Sequence, residues 1–295
     1  MKKLLYALFI CLYPAMLTAQ TEEKHLLGIC TRADLNKEPY SEWFVKNYDD
    51  YKPNPELVKK LKNCDFKNYT ITLFLGTWCG DSHREVPRFL KLLDEAGFPQ
   101  QAVTMVALSD KEAEYKQSPT HEEQGKHIYR VPTFIVSKNG NEINRIIEFP
   151  VKSLEYDLLA ILKNEAYTPN YRSYAYLSEW FDEGSLSDDN ISYAGLANQI
   201  RGLPRSVGEL DNFGYVLLKQ GNEKNLKAAV KVFQISTYLY PDSYWSYSNL
   251  ATALSEIGKN DEAGKMIQRA LELNSNSQNI KYLLEQYDIV RGKVE

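Results

Sequence analysis

One junction constrains this chain more than any other. The run Tyr69-Thr-Ile-Thr-Leu-Phe-Leu75 leads within four residues to Cys79, and then to His83-Arg-Glu-Val-Pro-Arg-Phe-Leu-Lys-Leu-Leu93. A continuous, β-prone apolar run reads as a strand buried on both faces. The following segment has helical spacing over 79–96 and ends near Gly97. A strand that turns directly into a helix belongs to an α/β architecture. It also places Cys79, within Thr77-Trp78-Cys79-Gly80-Asp81-Ser82, at a helix N-terminus. There the dipole and the free N–H groups favour a thiolate, while Asp81 beside it opposes one.

The neighbouring segments extend this unit. Residues 21–52 read as irregular apart from an aromatic helix near Ser41–Tyr48. Asn54-Pro55-Glu56 opens a helix with a cap, a first-position proline and an acid in the first turn, and Leu57, Val58 and Leu61 give it an apolar face. Val103–Leu108 reads as a second buried strand and roughly 110–127 as a polar helix. Pro132–Val136 and Ile143–Phe149 form strands around the hairpin signal Lys138-Asn139-Gly140, and a helix from Val151 to Asn164 closes the unit. The reading is an N-terminal extension over 21–50 and a compact α/β domain over 51–165.

From Tyr167 the pattern is helical only. Residues 166–206 read as a connector with helices at Tyr171–Phe181 and Ile191–Ile200, and 207–295 as a helical domain with an internal repeat. Tyr247, Leu250, Ala251, Leu254, Gly258, Ala263, Ile267 and Ala270 give one copy. Phe213, Gly214, Leu217, Gly221, Ala229, Phe233, Ser236 and Pro241 give the other, with about three extra residues placed in its turn at Asn222–Asn225. Ile280–Val290 reads as a capping helix. Two repeats bury too little alone, so residues 167–205 or the α/β domain must pack on them.

Taken together, Trp78-Cys79-Gly80 at a strand-to-helix junction, Pro87 within the helix, and Val131-Pro132-Thr133 before the hairpin resemble the thioredoxin family over about 51–164. The tail resembles tetratricopeptide repeats. The fold class expected is an α/β thioredoxin-like domain, a central mixed sheet flanked by helices, followed by an all-α tetratricopeptide-like domain. The resemblance implies that Cys79 is the nucleophile, that Trp78 shields it and that Gly80 allows close approach. It further implies a cis Pro132 facing the sulfur, with Val131 and Thr133 presenting a substrate strand. Two positions depart from the family: Ser82 replaces the second cysteine, and Leu73 the buried acid that serves it. A thiol there can form a mixed disulfide but has no internal means of release, and Ser82 is expected to hydrogen-bond the thiolate. Two functions stay open. One is a thiol–disulfide oxidoreductase or isomerase acting on protein or peptide thiols and disulfides. The other is a redox-inactive adaptor that binds protein partners through both regions, the repeats offering a concave face.

The remaining signals bound the setting. Lys2 and Lys3, the apolar run Leu4–Leu17 and Thr18-Ala19-Gln20 form a signal peptide over 1–20. Ile10 before Cys11 argues against lipidation. The mature chain is expected to be exported, periplasmic in a Gram-negative source, without stable membrane insertion. A net charge of -4 with no basic cluster gives no reason to expect nucleic acid. Outside the cytosol the remaining cysteines permit a disulfide. Either Cys30 pairs with Cys64 as a staple contributing roughly 3–4 kcal/mol, or Cys64 resolves Cys79. His121, His127, Glu122 and Glu123 lack helical ligand spacing and read as polar surface, as does His83; neither metal nor cofactor is expected.

Overall fold

The structure is a computed structural model that describes residues 25–274 and 277–292. The signal-peptide reading of residues 1–20, Cys11 included, lies outside the described residues. The first part of the chain runs β1 (Gly28–Cys30), α1 (Arg32–Leu35), α2 (Ser41–Asp50), α3 (Pro55–Lys62), β2 (Tyr69–Leu75), α4 (Gly80–Ala96), β3 (Val103–Ala107), β4 (Thr133–Lys138), β5 (Asn141–Ile147) and α5 (Leu154–Leu162). The five strands form one mixed sheet in the order β1-β3-β2-β4-β5; β2 and β3 are parallel and the other pairs antiparallel.

Period-two alternation decides what each face buries. Ile71, Leu73 and Leu75 of β2, Met105 and Ala107 of β3, and Phe134 and Val136 of β4 point into one core. There they meet Phe44 of α2, Leu61 of α3, Phe89 and Leu90 of α4, and Leu158 of α5. Phe74, Val106 and Ile135 point the other way into a smaller core with Leu108, Ile128 and Val131, against which Trp78 and Cys79 pack. Helices α2 to α5 therefore share one face, and the segment 108–131 covers the other.

That second face holds the main departure from expectation. Residues 110–127 are not a helix. One short 3-10 turn at Glu112–Glu114 is followed by turns with positive φ at Lys116, His121, Gly125 and His127. Pro119, which lacks an N–H and disfavours helix before it, is a sufficient local reason. Three smaller corrections concern the same region. Residues 21–52 are not merely irregular: Gly28–Cys30 pairs antiparallel with β3 and Phe44 of α2 is buried in the core. The closing helix starts at Leu154, where the Ser153 side chain caps it, rather than at Val151. The hairpin strands meet through Asn139 and Gly140, both with positive φ, which matches the twist of a two-residue hairpin turn.

Residues 166–292 are all-helical: α6 (Ser173–Asp182), α7 (Tyr193–Gln199), α8 (Val207–Gln220), α9 (Glu223–Leu239), α10 (Tyr244–Glu256), α11 (Asn260–Leu273) and α12 (Ser277–Gly292). The segments read as two copies of a repeat form the antiparallel pairs α8–α9 and α10–α11, whose turns contain Gly221 and Gly258, both with positive φ. A Cβ at Gly214 would lie 2.7 Å from the Phe233 ring, so this glycine lets α8 and α9 approach. The three extra residues of the first copy do not widen its turn; they lengthen its second helix, since α9 has 17 residues and α11 has 14. The helical core also takes in Tyr129 and Ile147 from the sheet region, so the helical region packs on the α/β unit. No helix among the described residues is long and apolar enough to cross a membrane.

Candidate functional site

Cys79 is the N-cap residue of α4, with extended backbone at φ -96° and ψ 121°. Its N–H donates to the Gly76 carbonyl at 3.0 Å, and its own carbonyl accepts from the His83 N–H at 3.0 Å. The thiol donates to the Val131 carbonyl at 3.3 Å, and the Val131–Pro132 bond is cis. The two separated motifs of the sequence thus meet at one sulfur, which remains half-buried.

Trp78 is fixed from two sides. Its Nε1–H donates to the Leu108 carbonyl at 2.8 Å, and its ring packs on Gly76, where a Cβ would lie 2.5 Å from the indole. Only glycine leaves room for that ring. Gly80 is exposed, and a Cβ there would meet nothing within 4 Å, so space remains beside the sulfur. Ser82 differs from expectation. It is fully buried and its Oγ accepts from the Gly76 N–H at 3.2 Å, so it holds the β2–α4 turn instead of reaching the thiol. Thr133 turns its hydroxyl to the Arg130 carbonyl at 2.7 Å and is buried, as is Val131. His83 is not a solvated surface group: it stacks on Trp43 with centroids 4.3 Å apart and bonds the Thr77 carbonyl at 2.7 Å.

The cysteine pairings are corrected. Cys30, Cys64 and Cys79 are all free thiols, so neither Cys30–Cys64 nor Cys64–Cys79 is formed. Cys30 lies buried on β1, where desolvation and then Asp34 push its pKa up to about 12. Cys64 turns its sulfur back to the Lys60 carbonyl at 3.6 Å, at the end of α3. Among the described residues, no group of three or more His, Cys, Asp or Glu side chains could hold a metal ion.

The structure adds groups that no motif announced. Lys116 is 3% exposed, and its ammonium donates to the Tyr129 carbonyl at 2.8 Å, the Tyr115 hydroxyl at 3.0 Å and Asn212 Oδ1 at 3.4 Å. Burial, reinforced by the charge of Arg130, pulls its pKa down to about 7; Cys79 and Glu148 act in the opposite sense. Tyr115 in turn lies against Trp78, with centroids 6.2 Å apart. Arg130 pairs with Glu148 at 2.9 Å, donates to the Tyr174 hydroxyl and the Gly208 carbonyl at 3.2 Å each, and lies 4.4 Å above the Tyr171 ring. Tyr171 also bonds Glu148. One signal in the sequence pointed this way: Pro119 and Gly125 made a helix over 110–127 a poor reading and left that segment free to bring Lys116 to the site.

No protein-family model matches the chain, and no curated protein matches it. The thiol, the indole and the carbonyl before Pro132 lie together at the N-terminus of α4, with Leu108, Ile128 and Val131 packed beneath them.

Proposed function

We propose that this chain is an exported, thioredoxin-like thiol–disulfide oxidoreductase or isomerase that acts through Cys79 alone, with a tetratricopeptide-like helical region. The observation that carries the reading is the contact of the Cys79 thiol with the Val131 carbonyl, at the N-terminus of α4 and beside the Trp78 ring. The Cys79 thiolate would attack one sulfur of a substrate disulfide, forming a Cys79–substrate S–S bond and releasing the other sulfur as a thiolate. With Ser82 buried against Gly76, release needs an external thiol, which attacks the mixed disulfide and restores Cys79. The expected substrates are protein or peptide disulfides.

A second reading, a redox-inactive adaptor, draws on the same burial of Ser82. Non-reducing gels and mass mapping of the full chain incubated with glutathione disulfide separate the two. Exchange chemistry predicts an adduct on Cys79 that a small thiol removes and that Cys79→Ala abolishes, while Cys64→Ser leaves it in place. An adduct insensitive to Cys79→Ala, or none at all, supports the adaptor.

A further inference from the structure

The Val131 carbonyl that accepts from the Cys79 thiol is held from both sides. On one side the Pro132 carbonyl accepts from the Glu148 N–H at 2.7 Å. On the other, the Arg130 carbonyl accepts from the Thr133 hydroxyl at 2.7 Å, and the Arg130 guanidinium pairs with the Glu148 carboxylate at 2.9 Å. Glu148 thus grips the turn twice, by its backbone after Val131 and by its side chain before it. Tyr171 closes the group: its hydroxyl bonds Glu148, and its ring centroid lies 4.4 Å from the Arg130 guanidinium. Each of these three side chains touches the other two.

We propose that Arg130 and Glu148 are positioning residues of the Cys79 site: they fix the Val131 carbonyl against the thiol, and through Arg130 the helical region governs how readily that thiol reacts. The proposal rests on the thiol-exchange reading of Cys79. Three observations carry it. First, every link outward from the sulfur is a contact or a peptide bond. Cys79 reaches the Val131 carbonyl, Val131 follows Arg130 in the chain, and Arg130 donates to the Tyr174 hydroxyl of α6 and the Gly208 carbonyl of α8 at 3.2 Å each. Second, the guanidinium is fixed as a plane, because its three nitrogens go to three different elements: Nε to Tyr174, one terminal nitrogen to Glu148 and the other to Gly208. Third, Glu148 and Tyr171 have positive φ (65° and 63°), a conformation that a residue with a side chain adopts only at a cost. Such backbone persists where the surroundings over-determine it, and here the contacts of these two side chains with Arg130 and with each other do so.

The chemistry gives the effect a sign. A carbonyl that accepts from an S–H stabilises the thiol and not the thiolate. While the turn is gripped, Val131 stays over the sulfur and holds its proton; when the grip loosens, the thiolate forms more readily. The helical region thereby acts on the sulfur without touching it. The other charged or titratable groups around the site are left in place by the test below. Asp81 and His83 lie on α4, while Tyr115, against Trp78, and Lys116 beside it come from the segment before β4.

The test is the pH profile of Cys79 alkylation by iodoacetamide in the full chain, read by mass mapping at Cys79. It needs no disulfide substrate. The variant is the double substitution Arg130→Met with Glu148→Gln, which removes one charge of each sign and so leaves the net local charge unchanged. It is expected to move the midpoint downward, so that labelling below the midpoint rises about fivefold, the worth of one hydrogen bond, while the plateau at high pH is unchanged. A pair that only tied two regions together would lower the melting temperature and leave the midpoint in place. Circular dichroism checks folding; should the double variant fail to fold, Tyr171→Phe, which removes one hydroxyl from the group and no charge, replaces it with a shift in the same direction. A midpoint that is unchanged or raised in the folded variant overturns the proposal, as does a higher plateau at a fixed midpoint. A lowered midpoint without glutathione adducts on the wild-type chain overturns the exchange reading and leaves the role of Arg130 and Glu148 in place.

Discussion

At the scale of single residues, the turn between β2 and α4 is held by a short list of contacts. Gly76 gives its N–H to Ser82, its carbonyl to Cys79 and its missing side chain to Trp78. Gly76→Ala would force the indole off its seat and break the bond to the Leu108 carbonyl, at a cost of about 1–3 kcal/mol from overpacking. The expected result is a lower Tm and faster Cys79 labelling, since Trp78 no longer covers the sulfur; a variant with unchanged labelling contradicts the shielding role. Cys79, Trp78 and Pro132 were legible in the sequence because each lies in a short motif with fixed local geometry. The role of Ser82 was not. Whether a hydroxyl faces a thiol or a backbone N–H depends on a rotamer, and the buried Gly76 N–H needed a partner. Lys116 was illegible for another reason: its partners lie 13 and 96 positions away in the chain.

At the scale of elements, periodicity served well where one face meets a core. Strands β2 and β3, helices α3 and α4, the hairpin and helices α8 to α11 follow from spacing and caps. The helix read over 110–127 failed because the order of that segment comes from side chains, such as Ser118 to Glu123, and from docking against α8, neither of which leaves a period. The seam where α8, α9 and α10 meet offers a sharper case. Asp211 of α8 is buried and bonded to Ser236 of α9 and Ser246 of α10, and burial raises its pKa to about 6. A raised carboxyl binds protons more tightly folded than unfolded, so this group's contribution is fully present below about pH 4 and is lost as pH rises through about 6. Asp211→Asn keeps hydrogen-bonding atoms without the charge. It is expected to raise stability at pH 7 by about 2 kcal/mol and to flatten the wild-type slope between pH 4 and 6 in thermal melts. A variant less stable than wild type at pH 7 contradicts this account.

At the scale of the whole molecule, the sheet unit and the helical unit share a core. Tyr129 stacks on Phe213 with centroids 3.8 Å apart, and Ile147 sits in the same cluster. Arg130, bound to Glu148 on one side, reaches Gly208 and Tyr174 on the other. A chain ending at residue 165 would expose this apolar patch and leave Arg130 and Lys116 without their helical partners. Such a fragment is expected to bind a hydrophobic dye or aggregate, whereas the full chain unfolds in one transition seen alike by ellipticity and by Cys79 labelling. Two separate transitions in the full chain would show the units to be independent.

Helix α8 carries a consequence of its own. None of its 14 residues is exposed: one flank meets Tyr115, Lys116 and Arg130, another seals the seam with α9 and α10, and Phe213 fills the boundary with the sheet. Arrays of repeats commonly change by gaining or losing units at an end, because each unit answers only to its neighbours. The helix at the front of this region has no such freedom: α8 is bound at once to the segment before β4 and to the helices behind it, so a substitution there is expected to disturb both sides together.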